Sequence, residues 1–354
     1  MDHARATPCV THDALRDIAA AVAATTLAHQ AGFSIAGQHT IVQANAPDVL
    51  DAVLTLWRPF ADDNPGAIVE DREDRARYTV VDLGTPAARS PLALSLLARH
   101  GPAILPPLQS RYILVADGQA LYAAARLEDV VAFLDWAATT AALTETQVYA
   151  VYHSAALSWA GRGLLLPATS GSGKTTLTAA LIRAGFGYLS DEAALIDPVT
   201  RRVYAYPKML SIKQPALLAA LLALPPDLVA AAPREQERTW ILDPTGLAPG
   251  CPRAVTTVDV IVFPHYDPSA TTALLPLGPA AAALRLLRHG VNAPACPPRG
   301  VSLAGALVAG AACYQLTVNS LSQAVRLIAG LFPPDGAENY PPAAPGAPGQ
   351  ARGQ

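Results

Sequence analysis

Ala168-Thr169-Ser170-Gly171-Ser172-Gly173-Lys174-Thr175 is the stretch that decides how this chain is read. Small residues let the backbone curl until successive N–H groups point inward at an anion, and a helix starting at the lysine adds its positive N-terminal end. The flanks agree with that. Leu164-Leu165-Leu166 reads as a strand running into the loop, and Leu177, Ala180, Leu181 and Ala184 recur at i, i+3, i+4 and i+7 on one helical face, with Gly185 as the stop. Strand, glycine loop and helix around a Gly-x-Gly-Lys-Thr-Thr core form a P-loop (Walker A) pattern, which cradles the phosphates of a nucleoside triphosphate. The expected ligands are ATP and Mg²⁺. Lys174 would reach between the β- and γ-phosphates and the Thr175 hydroxyl would coordinate Mg²⁺. Thr169, Ser170, Gly171, Ser172, Gly173 and Thr176 would complete the cradle. One position departs from the pattern: a glycine usually opens the loop, and Ala168 can stand there only with a negative φ.

Downstream, Tyr188-Leu189-Ser190 reads as a short strand, so the carboxylates of Asp191 and Glu192 should emerge at a strand end beside the loop. Phosphoryl transfer needs a metal ligand and a group that orients the nucleophile at that place. A solvated loop pair is the plain alternative. His153 ends a strand through Val148–Tyr152 that should neighbour the loop strand, although a lone histidine is more often structural than catalytic. Lys208, Lys213, Arg234, Arg238 and Arg253 are candidates for neutralising the triphosphate, with surface solvation the default for each. Tyr204, Tyr206 and Trp240 could stack on a base or a peptide, but core packing is their commoner fate.

The composition excludes several classes. With 51% hydrophobic and 15% charged residues and 32 prolines, the chain is globular with Pro-rich connections. Lys and Arg total 25 against 28 Asp and Glu, a net charge of -3, so no broad basic surface for nucleic acid is expected. Cys9, Cys251, Cys296 and Cys313 are scattered without metal-ligand spacing, which suggests reduced thiols in a cytoplasmic protein. The Ala-rich stretch 18–28 follows Asp2, Asp13 and Asp17 where a signal peptide requires positive charge. Val301–Val318 carries no charge, yet Ser302, Gly305, Gly310, Gln315 and Thr317 dilute it, so it reads as one buried helix and no membrane span is expected.

Around these features, helices are expected over residues 13–31, 46–56, 127–141, 280–287 and 320–331. Strands are expected at 33–36, 40–42, 78–81, 112–115, 120–122 and 258–263, with Asp117-Gly118 as a hairpin turn. The expected organisation is an α/β chain in three parts. Residues 1–145 form a smaller α+β domain, 146–332 the phosphate-loop domain, and 333–354 a disordered Pro/Gly/Ala tail.

His153, the loop Ala168–Thr175 and Ser190-Asp191-Glu192 together resemble the kinase domain of the HPr kinase/phosphorylase family. The core Ser170–Leu177 is also similar to the phosphate loop of ATP-dependent phosphoenolpyruvate carboxykinase, which shares that unusual fold. Tyr206–Lys213 and Val262-Phe263-Pro264 look like the HPr-kinase-related proteins found beside peptide-modification genes, among them kinases of lasso-peptide precursors. The resemblance covers residues 148–330. It implies the P-loop kinase fold of that type, with Glu192 as the base, Asp191 nearer the metal, His153 in the site and Lys213 as the favoured clamp. The family's downstream Arg-Gly signature is not recognisable here, which argues against HPr as acceptor and against the reverse reaction. Its two aspartates are replaced by Asp191-Glu192. The implied activity is transfer of the γ-phosphoryl group of ATP to a Ser or Thr hydroxyl of a peptide or protein. A small alcohol, a nucleotide hydrolase, an ATP-binding module without transfer and a homo-oligomer all stay open.

Overall fold

The computed structural model describes residues 27–61, 75–82, 84, 111–116, 119–169, 171–225, 228, 240–251, 255–292 and 297–332. Strand β1 (His29–Ile35) pairs antiparallel with β2 (Gln38–Ala44), Ile35 lying opposite Gln38. Ala36 and Gly37 turn the chain at φ 51° and 81°. Two successive positive φ values make a type I′ turn, whose twist matches that of the flanking strands. This corrects the helix expected through residue 31. Ala31, Phe33 and Ile35 are buried in alternation, so the period of two overrides the helical composition before it. The earlier part of that helix lies outside the described residues.

Helix α1 (Pro47–Trp57) buries Val49, Val53 and Trp57 at a spacing of four. Strands β3 (Arg75–Asp82), β4 (Tyr112–Ala116) and β5 (Gln119–Ala124) complete a five-stranded sheet in the order β1-β2-β3-β4-β5, with β2 and β3 parallel and the other neighbours antiparallel. Asp117-Gly118 lies outside the described residues. Helix α2 (Leu127–Glu145) packs on this sheet and on α1 through Val130, Leu134, Ala138 and Ala142.

The chain then runs through β6 (Ala150–Tyr152), β7 (Ser154–Trp159), β8 (Arg162–Pro167), α3 (Lys174–Arg183), β9 (Gly187–Ser190), β10 (Ala194–Ile196) and β11 (Val203–Tyr204). It continues with β12 (Leu210–Ile212), α4 (Pro215–Leu222), β13 (Trp240–Leu242), β14 (Val255–Thr256), β15 (Val260–Tyr266) and β16 (Ala273–Pro276). It ends on α5 (Pro279–Leu287), α6 (Pro297–Gly310), β17 (Ala312–Val318) and α7 (Leu321–Ala329). Six strands form a sheet in the order β16-β17-β15-β8-β7-β9, and smaller sheets β14-β11-β10-β6 and β12-β13 lie beside it. The fold is thus mixed α/β, with several sheets and seven helices among the described residues.

β8 sits in the middle of the large sheet. It is parallel to β15 on one side, Leu165 beside Ile261, and antiparallel to β7 on the other. Ala160 and Gly161, at φ 48° and 80°, make the β7–β8 connection a second type I′ turn. Leu164 and Leu166 enter one core with Leu177, Leu181 and Ile182 of α3, whereas Leu165 enters another with Ile261, Leu286 and Leu307. Burial on both faces is why this strand reads as an unbroken apolar run. The expectation of one helix over Val301–Val318 is corrected here. The helix ends at Gly310, and Ala312–Val318 is β17, parallel to β15 with Ala312 beside Val260. Within it Tyr314, Leu316 and Val318 alternate with Gln315 and Thr317, a period of two that marks a strand and that the uncharged run as a whole obscured.

The first core does not stop near residue 145. Val151, Ala193, Leu195 and Tyr206 share it with Phe33, Trp57, Val130 and Leu134. No helix among the described residues is long and apolar enough to cross a membrane. The tail 333–354 lies outside the described residues.

Candidate active site

β8 delivers the chain to the glycine loop, and α3 leaves it. Gly171 and Gly173 take φ values of 86° and 84°, a region in which an L side chain is strained, so both glycines are required by the backbone itself. Ala168 is buried and is not among the residues with positive φ, the condition under which alanine can open the loop. Gly173 is also the N-cap of α3, and because it has no side chain the first-turn N–H groups receive no side-chain cap. No acidic residue lies in that turn. At its other end α3 closes as a Schellman motif: Phe186 N–H donates to Leu181 and Gly185 N–H to Ile182, Gly185 sitting at φ 102°.

Lys174 and Thr175 open the helix, and the acidic pair meets them from the end of β9. Asp191 is 8% exposed and is gripped from α3 by two hydroxyls: Thr175 Oγ1 donates to its Oδ2 at 2.7 Å, and Thr178 Oγ1 to its Oδ1 at 3.0 Å. The Lys174 ammonium lies 3.5 Å from Asp191 Oδ1 and donates to the Asp191 carbonyl. Ser190 Oγ accepts from the N–H groups of Glu192 and Ala193 at 3.2 and 3.0 Å, which fixes the backbone beneath the pair. Thr178, one turn beyond Thr175, was not anticipated from the sequence, although its spacing of three places it on the Thr175 side of the helix.

Glu192 points elsewhere. Its Oε2 accepts from the Lys208 ammonium at 2.9 Å, and the same ammonium donates to Asp135 Oδ2 of α2 at 2.9 Å. The other Asp135 oxygen accepts from the indole N–H of Trp57, the last residue of α1, at 2.8 Å. Burial disfavours the charge on Lys208, but Asp135 and Glu192 outweigh it and raise its pKa. Lys208 is thus held by carboxylates rather than facing a triphosphate from the solvent side. Sequence reasoning missed Asp135.

His153 lies between β6 and β7, half-buried in the same cleft, and its backbone N–H donates to the His289 carbonyl at 2.7 Å. Burial, with Lys174 nearby, pulls its pKa below the ordinary value despite Glu192 and Asp191. His289 is lowered by burial, His153 and Lys174. Lys213 follows β12 as an exposed residue at the edge of the cleft, and Thr169 and Thr176 line it beside the loop. Tyr206 is fully buried and packs on Phe60 with ring centroids 5.1 Å apart, and Trp240 is buried too, so both are core residues. Ser170, Arg234, Arg238 and Arg253 lie outside the described residues.

The cleft that holds these groups measures about 2430 Å³ and runs from the loop to α1 and the start of α2. Its fit to a phosphate chain can be judged from the groups present. The hydroxyl of Ser172 is shielded from solvent and has no hydrogen-bond partner among the described residues, and α3 opens uncapped beside it. An anion would satisfy both. For Mg²⁺, Thr175 Oγ1 and one Asp191 oxygen are the hard oxygen donors at hand. That suits a cation which takes one or two protein ligands and completes its shell with phosphates and water. Among the described residues no group of three or more His, Cys, Asp or Glu could hold a metal by itself.

No protein-family model matches the chain, and no curated protein matches it in sequence. Among solved structures, the Hpr(Ser) kinase/phosphatase from Coxiella burnetii is similar to 51% of this chain and 95% of its own, with 11% sequence identity and a TM-score of 0.26. Similarity at that level is distant, and the chemistry of the site is carried by its own residues.

Proposed function

We propose that this protein is an ATP- and Mg²⁺-dependent phosphotransferase whose acceptor is a Ser or Thr hydroxyl of a peptide or protein. The observation that carries the reading is the convergence, in one cleft, of an uncapped glycine loop, Lys174 and Thr175 with a buried Asp191 and a half-exposed Glu192. Positioning and charge neutralisation are nearly all that phosphoryl transfer asks of a protein.

Mg²⁺, when bound with ATP, would supply neutralisation of the negative charge that develops on the phosphates. The loop amides, Ser172 Oγ and Lys174 bind the phosphates, and Thr175 and Asp191 would hold the metal. Glu192 orients the acceptor. As the acceptor oxygen forms its bond to the γ-phosphorus, the bond from that phosphorus to the β–γ bridging oxygen breaks and its electron pair leaves with ADP. The hydroxyl proton passes to the Glu192 carboxylate. His153, neutral and half-buried, adds no competing charge beside that base.

A cleft of about 2430 Å³ is several times what a small ligand fills, since such pockets run to roughly 300–1,000 Å³, and this supports a peptide or protein acceptor over a small alcohol. The test is incubation with γ-labelled ATP and Mg²⁺ together with Ser- and Thr-containing peptides, free sugars and water. Label in a peptide is the expected result. Label in sugar alone would change the acceptor class, and label released only as inorganic phosphate would make the protein a hydrolase. Tight ATP binding with no label moved anywhere would make it a binding module.

A further inference from the structure

We infer that Lys208 is a positioning residue for Glu192, and that through Lys208 the candidate base is held by Asp135 of α2 and Trp57 of α1. The inference rests on the reading of Glu192 as the base. Glu192 is a long side chain with 45% of it exposed, and left to itself it would sample several rotamers around the acceptor position. The Lys208 contact removes that freedom. Lys208 is itself constrained at both ends. Its backbone N–H donates to the Tyr206 carbonyl at 2.8 Å and its carbonyl accepts from the Tyr188 hydroxyl at 2.6 Å, both tyrosines being fully buried. Its ammonium is anchored on Asp135, whose second oxygen is taken by the indole of the fully buried Trp57.

Lys174 and Lys208 therefore divide the carboxylates between them. Lys174 serves Asp191, and Lys208 serves Glu192 and Asp135. A carboxylate displaced by even about 1 Å from an attacking oxygen loses much of its effect, which gives the Lys208 contact kinetic weight although its ammonium is engaged by Asp135 and Glu192.

The test uses the full chain, with single-turnover release of inorganic phosphate from Mg²⁺-ATP, in which water is the acceptor. Lys208→Met is expected to lower the rate roughly 10- to 100-fold while the KM for ATP stays within about twofold. Lys208→Arg should recover most of the loss, because a guanidinium can span the same two carboxylates. In a Glu192→Gln background Lys208→Met should add less than about a twofold effect, since residues that act through one another are not additive. A crystal structure of Lys208→Met should show the Glu192 side chain moved from its present place. Wild-type turnover in Lys208→Met beside an impaired Glu192→Gln overturns the positioning role and leaves the proposed function standing. Wild-type turnover in Glu192→Gln overturns the base assignment itself. In that case, or if water proves too slow an acceptor to follow, an unmoved Glu192 in the crystal still overturns the role of Lys208, and a displaced one supports it.

Discussion

Asp191 and Glu192 are adjacent, yet they sit in different surroundings and should fail differently. Asp191 is buried against Thr175, Thr178 and Lys174, whereas Glu192 reaches into the cleft with Lys208. On the proposed function Glu192→Gln keeps the shape and removes the base, so ATP binding should stay near normal while transfer falls by about 10²-fold or more. Asp191→Asn should instead raise the Mg²⁺ concentration needed for half-maximal rate. Titration calorimetry and a magnesium series separate the two, and a dead Asp191→Asn at saturating Mg²⁺ beside an unaffected Glu192→Gln would reverse the assignment. His153 and His289 carry a second expectation. Both have folded pKa values below the ordinary 6.5, so the unfolded chain binds their protons more readily. The stability tied to their neutral forms is complete above about pH 6.5 and is lost as pH falls through 6.5 toward the folded values. Thermal melts between pH 7.5 and 5.5 should show that decline, and His153→Gln should flatten it. An unchanged slope in the variant would remove His153 as a source.

The two type I′ turns are built as Ala-Gly, an uneconomical choice for the first position. Ala160 is exposed and holds φ 48°, where alanine is strained and asparagine is at home. Ala160→Asn should therefore stabilise the β7–β8 hairpin by roughly 0.5–1 kcal/mol, visible as about 1–2 °C in Tm, with nucleotide affinity unchanged. A lower Tm would show that the loss of alanine matters more than the relief of its backbone. β8 and α3 were legible because their signals are local: an apolar run, and a period of 3.6 ended by Gly185. The neighbour of β8 was not: Val148–Tyr152 was expected beside it, but Ser154–Trp159 takes that place and Ala150–Tyr152 joins the β14-β11-β10-β6 sheet. β17 was missed although Tyr314, Leu316 and Val318 alternate with Gln315 and Thr317, because the uncharged run from Val301 was read whole and the break at Gly310 was passed over. Asp135 was hidden for another reason. It lies 73 positions before Lys208 on an apolar helix, and no local pattern states which lysine it will meet.

At the scale of the whole molecule, the reading of residues 1–145 as a separate unit meets a shared core. Tyr206 and Leu195 pack with residues of α1 and α2, and Phe60 stacks at a tilt on Tyr206. A fragment beginning at residue 146 would expose those side chains and leave Lys208 without Asp135. Burying a single large apolar side chain contributes about 1.5–3 kcal/mol, so losing several of these contacts should cost the fragment its cooperative melt and promote self-association. Circular dichroism melts and sedimentation of residues 146–332 check this. A monomer melting at the full chain's temperature would mean that the two parts stand independently. The mixed order β1-β2-β3-β4-β5, with its parallel β2–β3 pair, could not be read in advance, since strand order follows from long-range packing rather than from any one segment.

The position of β8 between a neighbour in sequence and a distant one has a consequence in time. Its pairing with β7 needs only a two-residue turn, whereas its pairing with β15 joins Leu165 to Ile261, 96 positions further along the chain. Short loops close first and long ones late. The glycine loop hangs from the end of β8, so its final shape waits for the slow pairing and is missing from the early hairpin. On the proposed function, a nucleotide would therefore bind only after that step. Added Mg²⁺-ATP should slow the rate of unfolding while leaving the rate of refolding nearly untouched.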